Sequence, residues 1–297
     1  MNILVIGKKG QLAWELKQQA TSAVNIFCVG RDDIDLFDVD SIAKALIRNS
    51  VDAVINACAY TAVDLAETDV DRAFLLNATA VENLAKVCSN NNIAIVHVST
   101  DFVFDGNKNT PYLVNDVKSP VGVYGESKSQ GEDLLQATSA ENSCIIRTSW
   151  VYSLQGNNFV KTMLKLMAEK PALGIISDQI GSPTYAKNLA STCIYAAVNN
   201  VKGIHHWTDL GVASWYDFAV AIQELAVEKG LLNKAIPINP IQTKDYLTPA
   251  KRPSYSVLDK SSLKTDFSGV EQVHWRKQLS LMLDELLNLQ KSKLDKL

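Results

Sequence analysis

Tyr124 and Lys128 stand four residues apart in the run Tyr124-Gly125-Glu126-Ser127-Lys128. On a helix, side chains at i and i+4 share one face. A free phenol has a pKa of about 10 and exchanges protons poorly at neutral pH. A neighbouring ammonium favours the phenolate and draws that value toward the working range. The pair is therefore a candidate general acid, with Tyr124 as proton donor and Lys128 as the group that tunes it. The pattern is short, and most pairs of this kind are ordinary exposed helix faces. What decides is whether the rest of the chain brings a cofactor and a substrate to them.

The N-terminus supplies a cofactor turn. An apolar run over residues 2–6 ends at Gly7. It leads through Gly7-Lys8-Lys9-Gly10-Gln11-Leu12-Ala13 into a helical pattern of Leu12, Leu16 and Ala20. Glycines at such a strand-to-helix turn permit the bend and let the backbone approach a pyrophosphate, which the free N–H groups and positive end of the helix attract. A plain strand-turn-helix would use the same glycines for geometry alone. A second apolar run, Ile26-Phe27-Cys28-Val29, is followed by Gly30-Arg31-Asp32-Asp33. Arg31 is placed for the 2′-phosphate of NADP, and Asp32 keeps NAD open. Asp38 or Asp40 caps the next helix, which carries Ile42, Leu46 and Ile47.

The elements that must position these residues follow in order. A third strand over 51–56 ends in Asn56-Ala57-Cys58-Ala59-Tyr60-Thr61, small and polar as a loop against a cofactor would be. The periodicity predicts one long helix from about Glu67 to Asn90. A fourth strand over 93–98 ends in Ser99-Thr100-Asp101, and strand C-termini are where open parallel sheets hold ligands. His97, inside that strand, reads as a satisfied buried imidazole rather than a catalytic base. A polar loop over 102–119 precedes the Tyr124 helix, and a fifth strand over 143–147 ends in Thr148-Ser149-Trp150. Strands alternating with helices predict a parallel sheet covered on both faces. Further on, helices are expected over 158–168, 186–197 and 272–290, with Ser214 capping another. Residues 203–206 form a short strand, and 235–256, with four prolines, form a coil. His205 and His206 are adjacent on a strand and point to opposite faces, so they are no metal clamp.

Composition narrows the classes. The chain has 297 residues, 47% of them hydrophobic and 21% charged, with net charge −3. That is enough for a sizeable core and gives no reason to expect nucleic acid. No apolar run is long enough for a membrane span, and the start lacks the signature of a secretory leader. The five cysteines, Cys28, Cys58, Cys88, Cys144 and Cys193, have no C-x-x-C spacing. They read as free thiols in a reducing cytoplasm. A serine hydrolase is excluded, since Gly125-Glu126-Ser127-Lys128-Ser129 is not G-x-S-x-G and follows no strand directly.

Taken together, the glycine turn, Ser99-Thr100-Asp101 and Tyr124-x-x-x-Lys128 resemble the extended short-chain dehydrogenase/reductase superfamily. Longer stretches narrow the resemblance to the dTDP-4-dehydrorhamnose reductase family. They are Gly7 to Leu12, Asn56 to Asp64, Ser99 to Gly106, Arg147 to Tyr152, Asp178-Gln179-x-Gly181-x-Pro183-Thr184, and Arg252-Pro253-x-Tyr255-Ser256-x-Leu258-Asp259. These run in order over residues 1 to about 260. The resemblance implies a Rossmann-like doubly wound α/β fold with a smaller C-terminal α/β substrate-binding region. Residues 1–150 would be the NAD(P)-binding domain and 151–297 mainly the substrate region, with some segments returning to the sheet. It implies reduction of the 4-keto group of dTDP-4-dehydro-L-rhamnose by NADPH or NADH.

The roles implied are catalytic for Thr100, Tyr124 and Lys128, and substrate-binding for Thr100, Asp101 and Trp150. The cofactor falls to Gly10, Gln11, Leu12, Asp38, Val39, Ala59, Tyr60 and Thr61, joined by Gly7, Arg31, Tyr124 and Lys128. Two departures stand out: Ala13 where the family usually has a third glycine, and His205-His206-Trp207 in place of a commoner Tyr-His run. Some relatives use magnesium through acidic residues at a dimer interface. No such cluster is identifiable in the sequence, which leaves magnesium, and monomer against homodimer, open. The alternatives are a reductase of a related 4-keto sugar nucleotide and a non-catalytic NADP-binding regulatory subunit.

Overall fold

The computed structural model describes residues 1–294. Its centre is a six-stranded, wholly parallel sheet. The strands are β1 (Asn2–Ile6), β2 (Asn25–Val29), β3 (Ala53–Asn56), β4 (Ala94–Thr100), β5 (Ser143–Thr148) and, much later, Gly203–His206. The spatial order places β2 at one edge, then β1, β3, β4, β5 and the late strand. Registers such as Ile3 beside both Ile26 and Ala53, and His97 beside Ile145, align the strand ends. Strand order reverses between β1 and β3, and such a switch point opens a crevice at the carboxyl ends.

The helices cover both faces because each carries an apolar stripe. On one face lie α1 (Gln11–Gln18) and a helix over Ala186–Val198. Leu12, Leu16 and Leu189 pack there on Ile3, Val5, Ile55 and Val96. The other face carries α2 (Val39–Arg48), α3 (Ala80–Asn90) and α4 (Val123–Ser139). It buries Ile42, Leu46, Leu84 and Leu135 against Leu4, Ile6 and Ile145. Each such side chain contributes about 1.5–3 kcal/mol. Asp38, not Asp40, is the cap of α2; its carboxylate accepts from Asp40 N at 2.9 Å. After β5, a second core gathers Tyr152 from the short strand Val151–Tyr152 and Met163, Phe218, Trp275 and Met282 from the remaining helices. The five cysteines are free.

Two expectations fail. The helix expected from Glu67 to Asn90 is Val70–Phe74, a π turn over Leu75–Thr79, and α3, with a further short helix at Val63–Ala66. The π turn inserts Asn77 into the interior, where Asn77 is fully buried. The coil expected over 235–256 contains a strand, Ile238–Ile241, parallel to Leu173–Ile176. Pro240 is tolerated because this is a two-stranded edge pair with exposed residues, where a missing N–H leaves no neighbour unpaired.

Candidate active site

The nucleotide turn is built at the switch point. Gly7 has φ +121°, and a Cβ there would meet the Ala57 backbone at 3.2 Å, so only glycine fits without strain. Gly10 is the N-cap of α1 and caps with no side chain, which leaves the first-turn N–H groups free. Beside this turn lies a cavity of about 770 Å³ lined by Gly7, Lys8, Lys9, Arg31, Ala59 and Arg72, among others. A glycine cradle, a free helix N-terminus, a large apolar-floored cavity and four cations at its rim fit a dinucleotide.

The predicted cofactor residues divide. Gly7, Arg31 and Ala59 line the cavity. Gly10, Gln11 and Leu12 open α1, with Leu12 turned into the core and the Gln11 amide oxygen accepting from Asn158 Nδ2 at 3.0 Å. Asp38 and Val39 begin α2 just past Leu36 and Phe37, which do line the cavity. Tyr60 is held by both backbone groups to the Asn77 amide, at 2.8 and 3.1 Å, and its hydroxyl donates to Asp69. Thr61 is exposed at the end of this loop. Asp33 is engaged by Lys8 at 2.9 Å and by Gly30 N at 3.0 Å. Those bonds, the Gly30 one foremost, hold its carboxyl below the usual range.

The side chains expected to carry the chemistry lie where β4 ends. Thr100 Oγ1 caps the following turn by accepting from Phe102 N at 3.2 Å, and donates to Asp101 Oδ1 at 3.0 Å. Burial pushes Asp101 up to about 6, against the pull of the Ser256 and Thr100 hydroxyls. Tyr124, in the first turn of α4, is half-buried, its ring edge-on to Phe102 at 5.5 Å. Lys128 is 1% exposed. Its Nζ lies 3.1 Å from His97 Nε2 and donates to Val98 O at 2.8 Å. Burial pulls Lys128 down to about 8.

The expected tuning of Tyr124 by Lys128 is not what the geometry gives. Burial pushes the phenol up to about 12; the Thr100 hydroxyl draws it down and the Asp101 charge raises it. The Lys128 amine bonds inward to β4 instead of toward the phenol. Tyr124 is thus held as the neutral phenol, the form that donates a proton.

Close backbone approaches hold α4. A Cβ at Gly125 would sit 2.2 Å from Phe102 O, and one at Gly131 would sit 2.0 Å from Asn77 O. Asn77 Nδ2 also donates to Ser127 Oγ at 3.0 Å, so the π turn clasps both the Tyr60 loop and α4. One turn beyond Lys128, Glu132 pairs with Arg147 of β5 at 2.7 Å. Burial raises Glu132, but the Arg147 bonds outweigh it and hold it below the ordinary range.

Across the cleft, Trp150 has φ +49° and stacks on Trp215 at 3.6 Å between centroids. Gly181 lies under the indole, where a Cβ would come within 2.7 Å. Trp215 and Phe159 wall a second cavity of about 520 Å³, with Met163, Gln179, Tyr246 and Arg252. Arg252 is paired with Asp64 at 2.8 Å. Trp215 was missed in the sequence; Ser214-Trp215-Tyr216-Asp217 is read there as a cap only. The cap is real, with Ser214 Oγ accepting from Asp217 N at 3.0 Å, and it orients Trp215 at the helix start. Among the described residues of the single chain, no group of three or more His, Cys, Asp or Glu could hold a metal ion.

Residues 1–288 match the family model described as "RmlD substrate binding domain". The chain is 39% identical over 285 residues to the dTDP-4-dehydrorhamnose reductase of Aggregatibacter actinomycetemcomitans, covering 93% of this chain and 96% of that one. A crystal structure of a dTDP-4-dehydrorhamnose reductase from Clostridium acetobutylicum superposes with a TM-score of 0.90 at 35% identity, covering 97% of this chain and all of the other (100%). The Bacillus anthracis reductase, solved in complex with NADP, gives 0.89 at 29% identity, with 96% and 99% covered.

Proposed function

Because the chain belongs to the dTDP-4-dehydrorhamnose reductase family, we propose that it reduces the 4-keto group of dTDP-4-dehydro-L-rhamnose to dTDP-L-rhamnose with NADPH or NADH. The observation that carries this is that Thr100 and Tyr124 meet at the end of β4, with Lys128 one turn along the Tyr124 helix, in a chain that also builds a dinucleotide-sized cavity at its glycine turn. The Gly7–Gly10 turn and the rim cations would hold the cofactor, which would supply hydride to C4 of the sugar.

The chain's own residues manage the oxygen. Tyr124, kept as a phenol by burial, gives its proton to the oxygen at C4 as that oxygen gains charge. Thr100, whose hydroxyl lies beside the Tyr124 phenol, donates a hydrogen bond to the same oxygen. Lys128 lies beneath them as the cation that stabilises the resulting phenolate. Trp150, fixed by Trp215 and Gly181, forms the wall against the sugar. The second cavity takes the nucleotide end. Its aromatic side chains suit a pyrimidine, and Arg252 offers positive charge to a diphosphate. We further propose that residues 1–150 are mainly the cofactor half and 151–297 mainly the substrate half.

The test is to mix the purified protein with dTDP-4-dehydro-L-rhamnose and each reduced cofactor, and to follow nicotinamide absorbance. Turnover by the wild type and its loss in Tyr124→Phe, with cofactor binding retained, is the expected result. A Tyr124→Phe enzyme of normal rate would refute the assignment, and a wild type inert with both cofactors would point to a binding subunit.

A further inference from the structure

The hydrogen bonds beneath Lys128 have a direction that chemistry fixes. The backbone N–H of Cys58 can only donate, and it faces Asn56 Oδ1 at 3.1 Å. That sets the amide, so its Nδ2 group is the one 3.0 Å from His97 Nδ1. Nδ2 is a donor, and His97 Nδ1 must therefore present a lone pair. His97 is wholly buried, and burial, the largest influence, holds it well below its ordinary pKa. The ring is neutral, so its one proton sits on Nε2. That N–H points at Lys128 Nζ, 3.1 Å away. An ammonium has no lone pair to receive it; an amine has one.

We propose that His97 is a positioning residue for Lys128 and that, in the ligand-free enzyme, it favours the neutral amine of Lys128 over the ammonium by donating its Nε2 N–H to Nζ. The surroundings agree. Nζ donates a hydrogen bond of its own to Val98 O, which continues the same donor direction from Cys58 through Asn56, His97 and Lys128 to the β4 backbone. The titratable groups facing Nζ are His97 from β4, Cys58 from the segment after β3, and Glu132 from the next turn of α4. Glu132 bonds to Arg147 of β5, not to Nζ. Burial, the largest influence, lowers Lys128 to about 8, and Glu132 and Cys58 work against it.

The consequence concerns the reaction assigned above, and this inference rests on that assignment of Lys128. Stabilising a phenolate needs the ammonium form. His97 opposes that form, so the basic limb of kcat/KM follows Lys128 and lies near the lowered pKa instead of beyond 10. Below that pKa Nζ carries the charge that an anion at Tyr124 needs, and the His97 tautomer sets how far up the pH scale that charge persists.

Two measurements on the full-length enzyme test this. In long-range 15N–1H spectra of the ligand-free wild type, His97 is expected as the Nε2–H tautomer, and 15Nζ of Lys128 is expected to titrate near 8. Asn56→Asp keeps an acceptor for Cys58 N–H but places a second acceptor against His97 Nδ1. That variant is expected to show the Nδ1–H tautomer and a basic limb of kcat/KM raised by about one pH unit or more. An Nδ1–H or doubly protonated His97 in the wild type, or a Lys128 that stays charged through pH 10, would overturn the inference. So would a flipped tautomer in Asn56→Asp with an unmoved basic limb. The wild-type spectra decide the matter even if Asn56→Asp does not fold. Wild-type reduction by Lys128→Met would instead sink the catalytic assignment and leave the tautomer result standing.

Discussion

Gly131→Ala tests whether close backbone packing, and not hydrogen bonding alone, places the reacting side chains. The added methyl would sit 2.0 Å from the Asn77 carbonyl oxygen. Carbon and oxygen do not approach within about 3 Å in packed interiors, so α4 and the π turn must part by about an ångström. Alanine is intrinsically better in a helix by about 0.8–1 kcal/mol. Overpacking costs about 1–3 kcal/mol, and the net loss is about 0–2 kcal/mol. For a chain of this size that is a fall in Tm of a few degrees, about 2–4 °C per kcal/mol.

The effect on rate is larger. Tyr124 and Lys128 ride on α4, while Thr100 and His97 stay on β4. A displacement of about an ångström between them costs about 100-fold in kcat, or about 2.7 kcal/mol of barrier. The assay is steady-state oxidation of NADPH by the keto sugar, alongside thermal unfolding, with Gln130→Ala as control on an exposed position of the same helix. A Gly131→Ala enzyme with wild-type Tm and wild-type kcat would refute the reasoning, because the contact would then be unnecessary to the placement of α4.

Tyr124→Phe should abolish reduction while leaving cofactor binding, read by quenching of protein fluorescence, nearly intact. Arg31→Ala should weaken NADPH by about 10–100-fold, the value of one charged hydrogen bond to phosphate, and NADH hardly at all; equal losses in titrations with both would remove Arg31 from the 2′-phosphate. Arg147→Met strands Glu132, which is buried beside it. Denaturant titration should show a loss of about 3–5 kcal/mol at neutral pH, and a loss below 1 would mean that Lys118, at 3.4 Å, suffices as partner. Asp209 is raised to about 8, by burial first, so between pH 4 and 8 the folded state binds a proton the unfolded state lacks. Stability from this group is present at low pH and declines as pH rises through that window. Asp209→Asn should flatten the fall in Tm between pH 5 and 8, and an unchanged slope would count against it.

Much of this architecture could be read from the chain because burial writes itself in apolar runs. Residues 3–6, 26–29 and 144–146 are continuous apolar stretches between helical periods, and each lies in a strand of the parallel sheet. Even Gly203–His206, short and bearing two histidines, occupies the sheet edge beside β5. The Pro-containing strand was hidden because proline ordinarily ends a strand, and only edge position rescues it. The π turn was hidden because Leu75-Leu76-Asn77-Ala78-Thr79 suits any helix; the demand for it comes from Tyr60 and Ser127, distant in sequence. The spacing of Tyr124 and Lys128 correctly puts them on one helix. It could not tell which way a long lysine would bond, and that depends on His97 and Val98 beneath. Trp215 was invisible because its significance comes from stacking on Trp150, a contact between separate segments.

The π turn makes chain length, as well as composition, a condition of the site. A π turn is an α-helix with one residue too many. Removing one residue from 75–79 would let the backbone recover regular α-helical bonding, and judged locally the change would be harmless. It would also leave the faces of both flanking segments in place, because the π turn already absorbs the extra residue's rotation of about 100°, and only the bulged position would be lost. Asn77 could then no longer face Tyr60 and Ser127 together. A single-codon deletion here would spare the helix and part the Tyr60 loop from the Tyr124 helix.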